Sequence, residues 1–339
     1  MRALAILTVK NEASFLLEWL AHHRTVGFTD FLVFSNDCTD GTGALLDRLA
    51  ALGEVIHVPN DGPHADSPQW SALKKAEKHP AYLAADWALV LDIDEFVNIH
   101  AGGRRLPDLL SALPEQATAV QMTWRMFGNA GIVPWQDRPV RELFTRAAPA
   151  TLAWPWRAQM FKTLYRPGGA FAKPGVHRPR SPVEPRLPQE RWFDGSGRAI
   201  PVSNRLFSDY TRDNYRLVQL NHYALGTMEG YLVKCDRGRA NREASAFDMG
   251  YWVERNLNQV EDRSILALDI APELARLRAD PELARLHGEG VAWRQDRIAT
   301  LLRDEAWRSL FGRLMMAGPS RALAPDAAAL IHRSRREPG

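Results

Sequence analysis

Cysteine is nearly absent: the chain has two, Cys38 and Cys235, far apart. Two distant thiols do not make a disulfide framework, which points to a reducing compartment. Long apolar runs are missing too. No stretch approaches the ~20 apolar residues of a membrane span. The opening run Met1–Leu7 stops at Thr8, followed by Lys10-Asn11-Glu12 with no small-residue cleavage site. The expectation is a cytoplasmic protein with no transmembrane segment. The basic end (Arg333, Arg335, Arg336) is either a peripheral membrane contact or a solvated tail. Excess charge of one sign is also lacking: 43 Lys+Arg against 40 Asp+Glu leave a formal net charge of +3. That is too little to suggest nucleic acid, and no nucleic-acid partner is expected. Neither a repeat nor a low-complexity tract occurs. Lysine is scarce, at seven of the 43 basic residues, so 36 are Arg. Arg suits phosphate and carboxylate, although codon bias is the better account of most of them.

What is present is globular composition: 339 residues, 45% hydrophobic and 24% charged, with 11 Trp. The length suits two domains, or one large α/β domain with appendages. Ala3–Val9 is an apolar run of strand length. From Glu12 to Val26, apolar residues recur at helical spacing until Gly27 stops them. Strands follow at 31–34, 54–58 and 87–91, with helices at 43–51 and 69–85 between them. This alternation predicts an α/β fold with a mostly parallel, Rossmann-like sheet and flanking helices. Loops after the carboxyl ends of such strands share one cleft. Beyond residue 115, strands are expected at 119–126, 159–165 and 217–220, with a hairpin turn near Trp192-Phe193-Asp194-Gly195. From Met228 onward the pattern is mainly helical.

The strongest chemical signal is Asp92-Ile93-Asp94, running out of the apolar strand Leu89-Val90-Leu91. In an extended segment residues i and i+2 point the same way, so both carboxylates would face the cleft. Such a pair repels unless a cation neutralises it. Oxygen ligands favour Mg²⁺ or Mn²⁺, with water and phosphate completing the shell. The plainer alternative is a pair of loop or capping aspartates.

Taken together, several segments resemble the GT-A glycosyltransferases, in their family 2-like and family 92-like branch. They are Thr8-Val9-Lys10-Asn11-Glu12, Asn36-Asp37-Cys38-Thr39-Asp40-Gly41-Thr42, Leu91-Asp92-Ile93-Asp94-Glu95-Phe96, and Asn221-His222-Tyr223 with Lys234. The resemblance covers about residues 2 to 245 and implies a GT-A domain over 1–245, followed by a C-terminal helical extension over 246–339. It implies that Thr8 and Lys10 flank the nucleotide base. The family's base-reading aspartate falls on Asn36, with Asp37 beside it to take over the contact; Asp37 and Asp40 alternatively serve as turn and cap residues. Asp94 would be the direct metal ligand and Asp92 would lie nearer the ribose. His222 would complete the metal site, with His177 the competing candidate. Lys234 and Arg237, followed by Arg239, would reach phosphate, and Lys74 and Lys75 lie where members place a basic residue near the diphosphate, or form a solvated helix face. Trp124-Arg125-Met126-Phe127-Gly128-Asn129 resembles a segment lining the sugar pocket.

Inverting transfer needs a carboxylate base. Glu95, Asp137, Glu142, Glu184, Asp194 and Asp209 are the candidates, and Glu142 and Glu184 are the two in segments that could border the acceptor. The implied function is metal-dependent transfer of a sugar from a nucleotide-diphosphate donor to a saccharide or lipid-linked acceptor, with Mn²⁺ or Mg²⁺ as cofactor. The rivals are a nucleotidyltransferase, which would carry a glycine-rich loop where Thr8–Ala13 has no glycine, and a non-catalytic carbohydrate-binding protein with a degenerate site.

Overall fold

A computed structural model describes residues 1–238 and 248–333. Arg239, Arg335, Arg336 and the expected division at residue 245 fall outside the described residues. The elements run in the order β1 (Ala3–Val9), α1 (Ala13–Val26), β2 (Asp30–Ser35), α2 (Thr42–Ala51), β3 (Ile56–Pro59), α3 (Pro68–Ala76), α4 (Pro80–Leu83), β4 (Trp87–Leu91), β5 (Glu95–Ile99), α5 (Leu106–Ser111) and β6 (Ala119–Met126). Next come α6 (Val140–Leu143), β7 (Arg146–Ala147), β8 (Phe161–Tyr165), β9 (Phe171–Lys173), β10 (Arg180–Pro182), β11 (Trp192–Asp194), β12 (Ala199–Ile200) and β13 (Val218–His222). The C-terminal part holds α7 (Met228–Arg237), α8 (Met249–Val253), β14 (Val260–Glu261), α9 (Ala271–Arg278), α10 (Pro281–Leu301), α11 (Glu305–Met316) and α12 (Pro325–Arg333).

The main sheet has the order β12-β11-β6-β8-β4-β1-β2-β3, with β13 pairing both β6 and β5. Strands β3, β2, β1 and β4 are mutually parallel. β8 enters antiparallel between β4 and β6, while β11 and β13 are again parallel to β6. The expected α/β class with a mostly parallel sheet, flanking helices and a C-terminal helical region is what the structure shows.

Why β1 is apolar throughout follows from its position. Ala3, Ala5, Leu7 and Val9 enter one hydrophobic layer with α1, and Leu4 and Ile6 enter the other with α3 and Tyr82. A strand buried on both faces reads as a continuous apolar run. Helix α1 stops where expected: Gly27 adopts φ 115° and its N–H donates to the carbonyls of His23 and Arg24.

Two elements differ from expectation. The single helix over 69–85 is broken into α3 and α4, because Pro80 pushes His79 out of the helical region (φ −76°, ψ 135°). The strand over 159–165 begins only at Phe161, after a 3₁₀ turn at Trp156–Gln159.

The C-terminal helices pack directly on the sheet-forming part. α9 lies on α1, α10 on α1, α2 and α7, and α11 on α7 and α8. Gly290 makes the close approach of α10 possible, since a Cβ there would come within 2.5 Å of the Ala13 Cβ. Ion pairs fasten the contact: Arg48 with Asp280 at 2.5 Å and Arg297 with Asp236 at 2.5 Å. Among the described residues, no helix is long and apolar enough to cross a membrane.

Candidate functional site

A cleft of about 970 Å³ opens beyond the carboxyl ends of β1 and β4, where a parallel sheet places its ligands. Its lining brings together Thr8, Lys10, Asp92, Asp94, His222 and Lys234, six of the residues expected at the site, with His177, Trp124 and Arg237 beside them. These come from four separate stretches of chain, so only the fold assembles them.

Asp92 and Asp94 do not lie on an extended strand. Residues 92–94 form a turn between β4 and β5, closed by the Glu95 N–H donating to the Asp92 carbonyl at 3.1 Å. Both carboxylates still line the cleft, but each has its own partners. Asp92 accepts from Lys162 Nζ at 3.0 Å and from Gln69 Nε2 at 3.2 Å. Asp94 accepts from Lys234 Nζ at 2.6 Å, and its other oxygen lies 3.5 Å from His222 Nε2. Burial alone would raise the Asp94 carboxyl, but Lys234 and His222 hold it well below the ordinary carboxylate range.

Beneath the turn lies a buried charge cluster. Lys162 is fully buried, with Glu95 Oε2 at 3.5 Å in addition to Asp92. Burial would lower the lysine, and the two carboxylates more than offset it, so the ammonium stays charged. Glu95 is itself fully buried and accepts from Trp124 Nε1 at 2.6 Å and from the Asp92 N–H at 2.9 Å. Its place is under the turn, where it fixes the turn's shape.

His222 packs against the Trp124 ring, with centroids 4.3 Å apart. Burial lowers its pKa, partly offset by Asp94, which favours the neutral imidazole that a metal requires. His177 is held by the Phe161 carbonyl, 2.9 Å from its Nδ1, and burial lowers it to about 4. Among the described residues, no group of three or more His, Cys, Asp or Glu stands ready to hold a metal ion. Asp94 and His222 together offer one oxygen and one nitrogen donor. That set fits Mg²⁺ or Mn²⁺ only in the usual manner of these ions, with phosphate oxygens and water supplying the remaining positions.

The loop after β1 is clamped from the helical side. Glu12, almost fully buried, pairs with Arg237 and lies 3.5 Å from Arg294 of α10. Arg237 also donates to the Lys10 carbonyl at 2.8 Å. Arg294 donates to Ser14 Oγ at 2.9 Å and to the Asn11 carbonyl at 3.3 Å. Burial lowers both guanidinium groups, to about 9 for Arg237 and about 10 for Arg294. Residues of the C-terminal region thus hold the segment on which Thr8 and Lys10 stand.

The remaining expected residues are placed elsewhere. Asn36 is fully buried, donating to the Val9 carbonyl at 2.9 Å and accepting from Asn60 at 2.6 Å, so it ties loops together and does not line the cleft. Asp37 is exposed and accepts from the Gly62 N–H at 3.1 Å. Asp40 bonds the Ala13 N–H at the start of α1 and Thr42 at the start of α2, the capping role. Lys75 donates to the Pro59 carbonyl at 3.2 Å, and Lys74 pairs with Asp66; α3 faces the cleft with Gln69 and Trp70. Neither Glu142 nor Glu184 lines the cleft. Glu142 is exposed on α6, with Arg138 at 3.9 Å, and Glu184 is exposed at the start of a 3₁₀ turn. Asp194 bonds the N–H groups of Ser196 and Arg198 in the hairpin turn, Asp137 pairs with His287, and Asp209 bonds Thr211.

Sequence reasoning passed over Gln69, Trp70, Arg157, Asp248, Tyr251, Glu254 and Arg255, all of which line the cleft. The last four lie beyond the stretch in which any motif was legible. Lys162 carries no motif at all.

No family model matches the chain, and no curated protein matches it. Among solved structures, S. aureus TarS is 16% identical with a TM-score of 0.30, over 49% of this chain and 28% of that one. TarS 1–349 in complex with UDP-GlcNAc is 18% identical with a TM-score of 0.29, over 49% and 45%. Glucosyl-3-phosphoglycerate synthase from Mycobacterium tuberculosis, in complex with Mn²⁺ and UDP-glucose, is 16% identical with a TM-score of 0.26, over 37% and 44%. The chain spans less than half the length of these solved structures. A likeness this distant carries no weight in assigning an activity.

Proposed function

We propose that the chain is a GT-A-type, metal-dependent glycosyltransferase that moves a sugar from a nucleotide-diphosphate donor to a saccharide or lipid-linked acceptor. The observation that carries this reading is the Asp92–Asp94 turn at the end of β4, sharing one cleft with Thr8 and Lys10 and flanked by His222, Lys234 and Arg237. The family 2-like motifs support it; nothing beyond the motifs speaks for the family 92-like branch.

Asp94 and His222 would hold the ion, which would neutralise charge developing on the leaving diphosphate. Lys234, fixed on Asp94, adds a point charge at the same place. Thr8 and Lys10 would position the nucleoside on a segment held by Arg237 and Arg294. Inversion requires a carboxylate at the acceptor hydroxyl. Besides Asp92, Asp94 and Glu12, the carboxylates that line the cleft are Asp66, which pairs with Lys74, Asp248, and Glu254, which Arg157 and Arg255 share.

Calorimetry with uridine and guanosine diphosphate sugars, with and without Mn²⁺, tests the reading. Metal-dependent binding and donor hydrolysis in the wild type, both lost in Asp94→Ala, are expected. Equal behaviour of the two proteins, or no binding of any nucleotide sugar, removes it.

A further inference from the structure

Arg255 stands just beyond α8, in the region where no sequence motif was legible. It lines the cleft and is only 6% exposed. A guanidinium carries five N–H donors. Among the described residues Nη1 alone finds acceptors, and both are long: the Tyr251 carbonyl at 3.4 Å and Glu254 Oε2 at 3.3 Å. Nε is buried and has no partner among the described residues. A buried cation this poorly satisfied is costly and calls for an explanation.

The ring of Tyr251 supplies a second, independent observation. The Arg255 guanidinium lies 3.7 Å from its centroid, and Lys234 Nζ lies 5.9 Å from the same centroid. Lys234 is already held by Asp94 at 2.6 Å, whereas Arg255, stacked on this ring, has among the described residues only its long contact to Glu254 for a counter-ion. Neighbouring carboxylates are largely committed: Asp94 to Lys234 and His222, Glu12 to Arg237 and Arg294, and Glu254 shared between Arg255 and Arg157, the latter at 3.7 Å. Arg255 lines the same cleft as Asp94 and His222.

We propose that Arg255, which shares the cleft with Lys234, forms an anion subsite for a phosphate group, supplied either by the nucleoside diphosphate or by a phosphorylated acceptor. This deepens the glycosyltransferase reading and rests on it for the identity of the ligand. A guanidinium fork matches two phosphate oxygens at once, which an ammonium does not. The subsite also gives α8 a role, since it brings a cation from the C-terminal part to a centre whose carboxylates stand on the sheet.

The test uses the full chain with Arg255→Met and Arg255→Lys, whose folding is checked by thermal unfolding. Calorimetry is run with uridine, uridine diphosphate, inorganic pyrophosphate, and inorganic phosphate added to diphosphate-saturated protein. If the donor supplies the phosphate, diphosphate and pyrophosphate affinities fall about tenfold or more in Arg255→Met, less in Arg255→Lys, and uridine affinity is unchanged. If the acceptor supplies it, diphosphate affinity holds and the later binding of inorganic phosphate is lost. Unchanged affinity for all three anions in a folded Arg255→Met overturns the subsite. If Arg255→Met does not fold, Arg255→Lys decides: wild-type anion affinities there overturn it as well. Pyrophosphate binding that depends on Arg255 in a protein that binds no nucleotide keeps the subsite and removes the glycosyltransferase reading. Sugar transfer that is indifferent to Arg255 does the reverse.

Discussion

The two walls of the cleft are built in different ways. One is the edge of the sheet, where Asp92 and Asp94 stand in a three-residue turn, Thr8 lies at the end of β1 and Lys10 follows it. The other is helical, where α7 and the end of α8 bring Lys234, Arg237 and Arg255 from distant parts of the chain. The sheet wall supplies the paired carboxylates and the helical wall most of the cations. Each wall neutralises the other, so neither is a finished site by itself. A near-neutral protein can therefore hold a local field of both signs with almost no net charge.

The contrast can be broken most severely from beneath the sheet wall. Lys162→Met leaves Asp92 and the fully buried Glu95 without their shared cation. A loss of about 3–5 kcal/mol in unfolding free energy is expected, read by denaturant titration. Asp94→Asn keeps the shape of the turn and removes its charge. Transfer should fall about 100-fold or more, since the lost electrostatic stabilisation is worth several kcal/mol, while uridine binding survives. A fall in stability with no change in transfer would place Asp94 outside the chemistry.

From the helical side, Arg294→Met removes the bonds to Ser14 and Asn11 and leaves Glu12 to Arg237 alone. About 2 kcal/mol of stability should go, and nucleotide KM should rise while kcat changes little. Asp280→Asn is the control, because it loosens α10 at Arg48, away from the cleft. It should lower the midpoint of unfolding without moving KM.

The smallest expected effect lies away from both walls. Glu18 of α1 is buried, accepts from the N–H groups of Val140 and Arg141, and is raised to about 7, chiefly by burial. A carboxyl raised on folding stabilises the protein most below its unfolded value and loses that contribution as pH rises towards its folded value. Between about pH 4.5 and 7 the melting temperature should therefore fall by a degree or two per pH unit from this group. Glu18→Gln should flatten that slope and leave nucleotide binding unchanged.

Legibility differed between the walls for a physical reason. Strand burial on both faces writes a continuous apolar run, as in β1 and β4, and helix burial writes a 3.6-residue period, as in α1. Glycine at a positive φ marks where α1 ends. Those signals are local, so the alternation of strand and helix up to β4 was readable, while the break at Pro80 and the strand β5 were not. The expectation for Asp92 and Asp94 was right about their place at the cleft and wrong about their backbone, because apolar residues leading into a turn look like a strand that continues. Asn36 and Asp37 were matched by motif, but a motif does not state whether a side chain turns inward to Val9 and Asn60 or outward to the ligand.

The sequence by itself determined the order of strands and helices up to β4 and the strand-end position of the acidic turn. Tertiary structure alone decided which cation meets which carboxylate: Lys162 reaches Asp92 across 70 positions, Lys234 reaches Asp94 across 140, and Arg237 reaches Glu12 across 225. Ion pairs over such separations leave no periodic trace, because their energy depends on a distance that the folded chain alone defines.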